Sequence, residues 1–296
     1  MKSIQLKSRA KINLSIDVLG KREDGYHLVE MIMQTIDLYD VITIEEIKEN
    51  KIVVTSDSSN IPLDKNNIVY KAAKLVKGKF GIQKGINIFI QKNIPIAAGM
   101  AGGSSNAAAV LIGLNEMWNL GLDIKQLREI GLDIGADVPF CLLGGACLAS
   151  GIGEELTDIA GLPSEIDILI CKPELFISTQ DVYRGLEINN IENRPNNEKL
   201  LEMLKNKDIV SVGKNMVNVL ESVTSKKHSE IKHIEKIMID NNALGSMMSG
   251  SGPTVFGLFE NQEDAQRGKI ELLKNYKQVY IVKASKRGVE VDAKFN

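Results

Sequence analysis

The chain has 296 residues, 44% of them apolar and 25% charged, which is the balance of an ordinary folded protein and more chain than one compact core usually takes. Thirty-six Lys and Arg against 38 Asp and Glu leave it near neutral, which excludes a general attraction to nucleic acid or to an anionic membrane. The most apolar stretch, 138–153, is too short and too broken by Pro139 and glycines for a membrane helix, and Met1 to Gln5 hold no apolar signal core, so a cytoplasmic protein is expected.

The first predicted element is a strand. Ile12, Leu14, Ile16 and Val18 alternate with Lys11, Asn13, Ser15 and Asp17, the period of a half-buried strand, and this places Lys11 and Asn13 on one polar face. Asp24-Gly25 reads as a hairpin turn. Beside it, Tyr26 offers a ring for stacking a base and His27 can hydrogen-bond the edge of a heterocycle. Strand-like runs follow at 41–44, 52–55 and 86–90, with a helix at 69–76 between the last two.

The most informative segment runs through Pro95, Ile96, Ala97, Ala98, Gly99, Met100, Ala101, Gly102, Gly103, Ser104 and Ser105, with a helix predicted from Ala107 on the spacing of Val110, Leu111, Leu114 and Met117. Small residues let a backbone wrap closely around an anion, and a helix N-terminus supplies free N–H groups and a positive dipole end. Ser104 and Ser105 can cap that helix or offer hydroxyls to phosphate and a bound magnesium ion; a tight connection without a ligand is the plainer alternative. No Lys follows the glycines, as a Walker A loop requires, nor do they stand at the positions of a dinucleotide fingerprint.

Further on, Gly135-Ala136-Asp137-Val138-Pro139 sets one carboxylate in an apolar run, where a buried charge needs a partner, and Lys11 is the expected one. Asp137 can instead bridge a turn and Lys11 can be solvated, and Asp133 competes for the same role. Cys141, Cys147 and Cys171 form no Cys-x-x-Cys pair and are expected to be reduced core thiols; no His or Cys spacing suggests zinc. Gly161 and Pro163 mark a boundary before a strand at 166–171. Helices at 197–204 and 231–239 and strands at 255–259 and 279–284 complete an α+β pattern.

Three motifs in order, Ser8 to Leu14, the loop ending Gly102-Gly103-Ser104-Ser105, and Ser249 to Thr254, resemble the signatures of the GHMP kinases and together span nearly the whole chain. The family usually carries further glycine where Met100 and Ala101 stand. The resemblance implies a two-domain α+β fold with the active site in the cleft, domains at 1–160 and 161–296, and ATP with Mg2+ held along 95–105. It also implies that Asp137 is the base and that Lys11 neutralises charge between it and the transferring phosphoryl. Asn13, Tyr26 and His27, with Thr179 followed four residues later by Tyr183, resemble the substrate site of the branch that acts on cytidine-diphosphate methylerythritol, where the cytosine lies between aromatic rings. Tyr183 stands where that branch often has Phe. The alternatives are another small-molecule kinase of the superfamily, acting on homoserine, mevalonate or a sugar, and a non-catalytic ligand-binding protein of the same fold. No nucleic-acid or membrane partner is expected, and the chain is expected to be a monomer or a weak homodimer.

Overall fold

The structure is a computed structural model and describes residues 2–295. Strands β1 (Ser3–Lys21) and β2 (His27–Ile47) form a long antiparallel hairpin. Its turn is closed by the Arg22 amide donating to the Tyr26 carbonyl at 2.7 Å, with Gly25 at a φ of 91° that favours glycine. Then come β3 (Ile52–Ser56), α1 (Ile68–Lys79), whose first turn is capped by the Asn67 side chain, and β4 (Gly85–Gln91). Helices α2 (Gly102–Trp118), α3 (Ile124–Leu132) and α4 (Val138–Leu143) lead to β5 (Ala146–Ser150) and β6 (Glu155–Asp158).

After the crossing at 159–166 the chain forms β7 (Asp167–Lys172), α5 (Thr179–Gly185), α6 (Asn197–Lys205), α7 (Ile209–Asn215) and β8 (Val217–Asn218). It continues through α8 (Glu221–Lys227), α9 (Glu230–Asp240), β9 (Gly245–Met248), β10 (Val255–Phe259), α10 (Gln262–Leu273), β11 (Gln278–Val282) and β12 (Val289–Phe295). This is the expected α+β class.

Two sheets organise the molecule. The first has eight strands, with the path β12-β1-β2-β4-β3 and with β5, β6 and β8 attached; the second is the antiparallel set β11-β7-β10-β9. The passage from β6 to β7, where a boundary was expected, is where the chain leaves the first sheet for the second. Two later segments return: β8 runs parallel to β1 at Ser15 and Ile16, and β12 pairs antiparallel with its outer half.

That return changes the reading of β1. The strand is not half-buried, because Lys11, Asn13, Ser15 and Asp17 are buried along with the apolar residues between them. The polar side is covered by the later half of the chain: Ser15 Oγ donates to Asn197 Oδ1 at 2.6 Å, and Arg194 pairs with Asp17 at 2.5 Å. The pairing of β1 with β2 also shifts between Arg9 and Lys11 and again between Asn13 and Ser15, so bulges flank the two side chains that face the cleft. Helix α2 begins at Gly102, five residues before the apolar periodicity, because small residues form the helix well enough without supplying an apolar face.

Candidate active site

A cleft of about 730 Å³ opens beside β1, and its lining collects residues from both halves of the chain. Lys11 and Asn13 come from β1, Tyr26 and His27 from the hairpin turn and the start of β2, the loop 95–104 from the entry to α2, Asp137 from the start of α4, and Thr179 and Tyr183 from α5. Every site residue that the resemblance implies lies here except Ser105. Its side chain is buried and donates to the Arg9 carbonyl at 2.7 Å, so it fastens α2 to β1 and does not face a ligand. Nor does either serine cap the helix: Ser104 and Ser105 stand inside the first turn, and the N-cap position is Ala101.

The loop is shaped for an anion. Ala97, Gly99 and Ala101 all take left-handed φ values, 50°, 70° and 54°, which turn the chain tightly into α2. The first helical amide bond is that of Ser105 to the Ala101 carbonyl, so the preceding N–H groups of Gly102, Gly103 and Ser104 are left for a ligand, at the positive end of a 17-residue helix. Met100 turns its side chain into the core and its carbonyl accepts the Lys11 amide at 3.2 Å, which locks the loop to β1.

Lys11 and Asp137 both face the cleft without touching. The Lys11 ammonium donates to Asn13 Oδ1 at 2.6 Å, and the expected ion pair with Asp137 is not formed. Asp137 stands at the N-cap of α4, yet its carboxylate does not cap that helix and makes no hydrogen bond or ion pair among the described residues. Asp133 is exposed at the far end of α3 and does not line the cleft. The charge of Asp137 reaches Tyr183, whose hydroxyl burial first and that charge second push up to about 12, so the phenol keeps its proton.

At the other end the rings of His27 and Tyr183 lie 4.9 Å apart at 37°, while Tyr26 is 57% exposed at the turn. The ring that meets Tyr183 directly is His27. Burial, followed by the charge of Lys21, lowers the His27 pKa, so at neutral pH the imidazole carries one donor and one acceptor. Thr179 Oγ1 lies 2.8 Å from Ser251 Oγ, tying α5 to the C-terminal glycine motif.

The sequence reading missed the remaining wall, formed by Ile61, Pro62, Asn66, Ile68, Ile90 and Lys92. Lys92 is buried in a pair with Asp40 at 2.8 Å, and burial lowers its pKa while Asp40 opposes the shift. A lone lysine at a strand end carries no signal that it turns inward.

The chain matches the family model described as GHMP kinases N terminal domain over residues 67–145, and that described as GHMP kinases C terminal over 200–278. A 4-diphosphocytidyl-2-C-methyl-D-erythritol kinase of Clostridioides difficile (strain 630) is 66% identical over 296 residues, covering 100% of both chains. The chain belongs to the 4-diphosphocytidyl-2-C-methyl-D-erythritol kinases, within the GHMP kinases. A second member, from Alkaliphilus metalliredigens (strain QYMF), is 52% identical over 97% of this chain and 98% of its own. A crystal structure of a 4-(cytidine 5'-diphospho)-2C-methyl-D-erythritol kinase superposes with a TM-score of 0.81 at 30% identity, over 95% of this chain and 99% of that one. The homoserine kinase of Cytophaga hutchinsonii, at 21% identity and a TM-score of 0.78 over 98% and 97%, shares the fold.

Within this kinase family the three sequence motifs acquire a common purpose. The N-terminal motif supplies Lys11 and Asn13, the middle one is the anion loop, and the C-terminal one packs against that loop: Ser249 Oγ donates to the Gly99 carbonyl at 3.1 Å.

Proposed function

We propose that the protein transfers the γ-phosphoryl group of ATP to the 2-hydroxyl of 4-diphosphocytidyl-2-C-methyl-D-erythritol, releasing ADP and the 2-phosphate, a step of non-mevalonate isoprenoid precursor synthesis in the cytoplasm. The observation that carries this reading is one cleft lined by an anion loop, a carboxylate without a partner among the described residues, and a ring pair.

The triphosphate lies on the amides of Gly102, Gly103 and Ser104, and the adenine occupies the slot between Ile61, Pro62, Ile68 and Ile90, whose apolar walls suit a flat base. Asp137 takes the proton from the 2-hydroxyl as that oxygen attacks the γ-phosphorus, and the bond to the β-bridging oxygen breaks in line. Lys11, held by Asn13, offsets the charge that gathers on the transferring group. A magnesium ion brought by the phosphates would find the Ser104 hydroxyl and the Asp137 carboxylate as protein donors on the cleft lining. Bound there, it would supply charge neutralisation to the phosphates. The cytosine enters at Tyr26, His27 and Tyr183, where the neutral imidazole can pair with the base edge.

The test is turnover of the full alcohol against 2-C-methylerythritol 4-phosphate, which presents the same hydroxyl without the nucleotide. Remote binding energy holds the hydroxyl in line, so kcat/KM should fall by well over about tenfold on truncation. Equal efficiency on the two substrates overturns the cytidine assignment.

A further inference from the structure

The C-terminal glycine motif lies directly against the anion loop. A Cβ built on Gly99 would overlap the Ser249 carbonyl oxygen, and one on Gly250 would lie 2.9 Å from the Gly99 carbonyl oxygen. The Ser249 hydroxyl donates to that same carbonyl. Wherever the motif sits, Gly99 and the amides that follow it must sit too. The question is what fixes the motif, since a glycine-rich turn has little side chain of its own to hold it.

Three side chains from one short segment, at spacings of three, grip its backbone. Asn218 on β8 is buried and donates from Nδ2 to both the Met248 and the Gly250 carbonyls at 2.8 Å, while its Oδ1 accepts the Leu220 amide. Glu221 at the start of α8 accepts the Met248 amide at 2.9 Å. Thr224, one turn later and also buried, donates to the Ser251 carbonyl at 3.2 Å. Glu221 is in turn held by Lys232 of α9, which also pairs with Glu235 at 2.9 Å.

We propose that Asn218, Glu221 and Thr224 form a clamp that positions the anion loop through the C-terminal glycine motif, and so set the affinity for the nucleotide without touching it. The inference rests on the reading of loop 95–104 as the ATP site. None of the three follows from a motif: they are an ordinary Asn, Glu and Thr whose shared target is visible only in the fold. Asn218 is the centre, because its amide alone spans two carbonyls of the motif.

The experiment measures ATP affinity of the full chain by calorimetric titration, with binding of the cytidylylated alcohol as the paired readout. Asn218→Asp keeps the shape and sets a carboxylate against two carbonyls; it should weaken ATP by about tenfold or more, the scale of an unmade buried hydrogen bond, and leave the alcohol within about threefold. Glu221→Leu should weaken ATP likewise, whereas Glu221→Gln, which still accepts the Met248 amide, should restore it. Wild-type ATP affinity in folded Asn218→Asp and Glu221→Leu overturns the clamp, as does equal loss of both ligands. If Asn218→Asp fails to fold, the Glu221 pair decides alone. A wild-type protein that binds no ATP overturns the clamp too, and shows that the fault lies in the reading of the loop.

Discussion

Asp137 heads α4 with a carboxylate that its own helix leaves unused, so it can take up a proton without loosening the fold. Asp137→Asn is expected to keep the melting temperature of the parent while kcat falls by about 10²-fold or more, followed as ADP release with the full alcohol. A parental kcat returns Asp137 to a turn-bridging role. Lys11→Met should lower kcat by a similar factor, because it removes the one ammonium held on the cleft side of β1. Both residues were legible in the sequence, Asp137 as a charge in an apolar run and Lys11 as the cation expected to face it. Their relation was not: the sequence reading joined them directly, and the fold instead gives Lys11 to Asn13 and keeps Asp137 apart, a matter of distance between elements that no local pattern encodes. Nor does any local pattern show that the rings of His27 and Tyr183 meet.

At the scale of elements, the anion loop separates two kinds of glycine. Gly99 is fixed by the fold, with a left-handed φ and the Ser249 carbonyl where a Cβ would go; Gly103 has an ordinary φ and only Ile68 nearby, at 3.5 Å from a built Cβ. Gly99→Ala should therefore destabilise the chain by roughly 1–3 kcal/mol. Gly103→Ala should melt as the parent does and lose about tenfold or more in ATP affinity, because the added methyl meets the phosphate and not the protein. Denaturant midpoints and titration calorimetry on the two variants check this; matched losses of stability would place Gly103 with Gly99. The loop itself was the plainest feature of the sequence, since so many small residues in succession have few other uses. The helix it feeds was placed five residues late, because periodicity is silent where every side chain is small. Strand β1 was misjudged for a different reason: its covering comes from Arg194 and Asn197, nearly two hundred positions away.

Across the whole molecule, one half-buried acid, Glu235, sets a pH dependence. Burial first, and the charge of Glu221 second, push the Glu235 pKa up to about 8 from an ordinary value of 4.5. The folded chain thus keeps a proton that the unfolded chain releases, and the stabilisation from this group, complete below about 4.5, is lost as pH rises to about 8. Glu235→Gln keeps the shape without the charge and should raise the melting temperature most above pH 8 and least near pH 4.5. An equal gain at both ends would show that Glu235 is solvated.

Strands β1 and β12 lie side by side, Ser3 in register with Phe295. Until β12 is in place, the edge of β1 that it fills offers open N–H and C=O groups. The strand bearing Lys11 therefore keeps an open edge until a segment from the later half of the chain pairs with it.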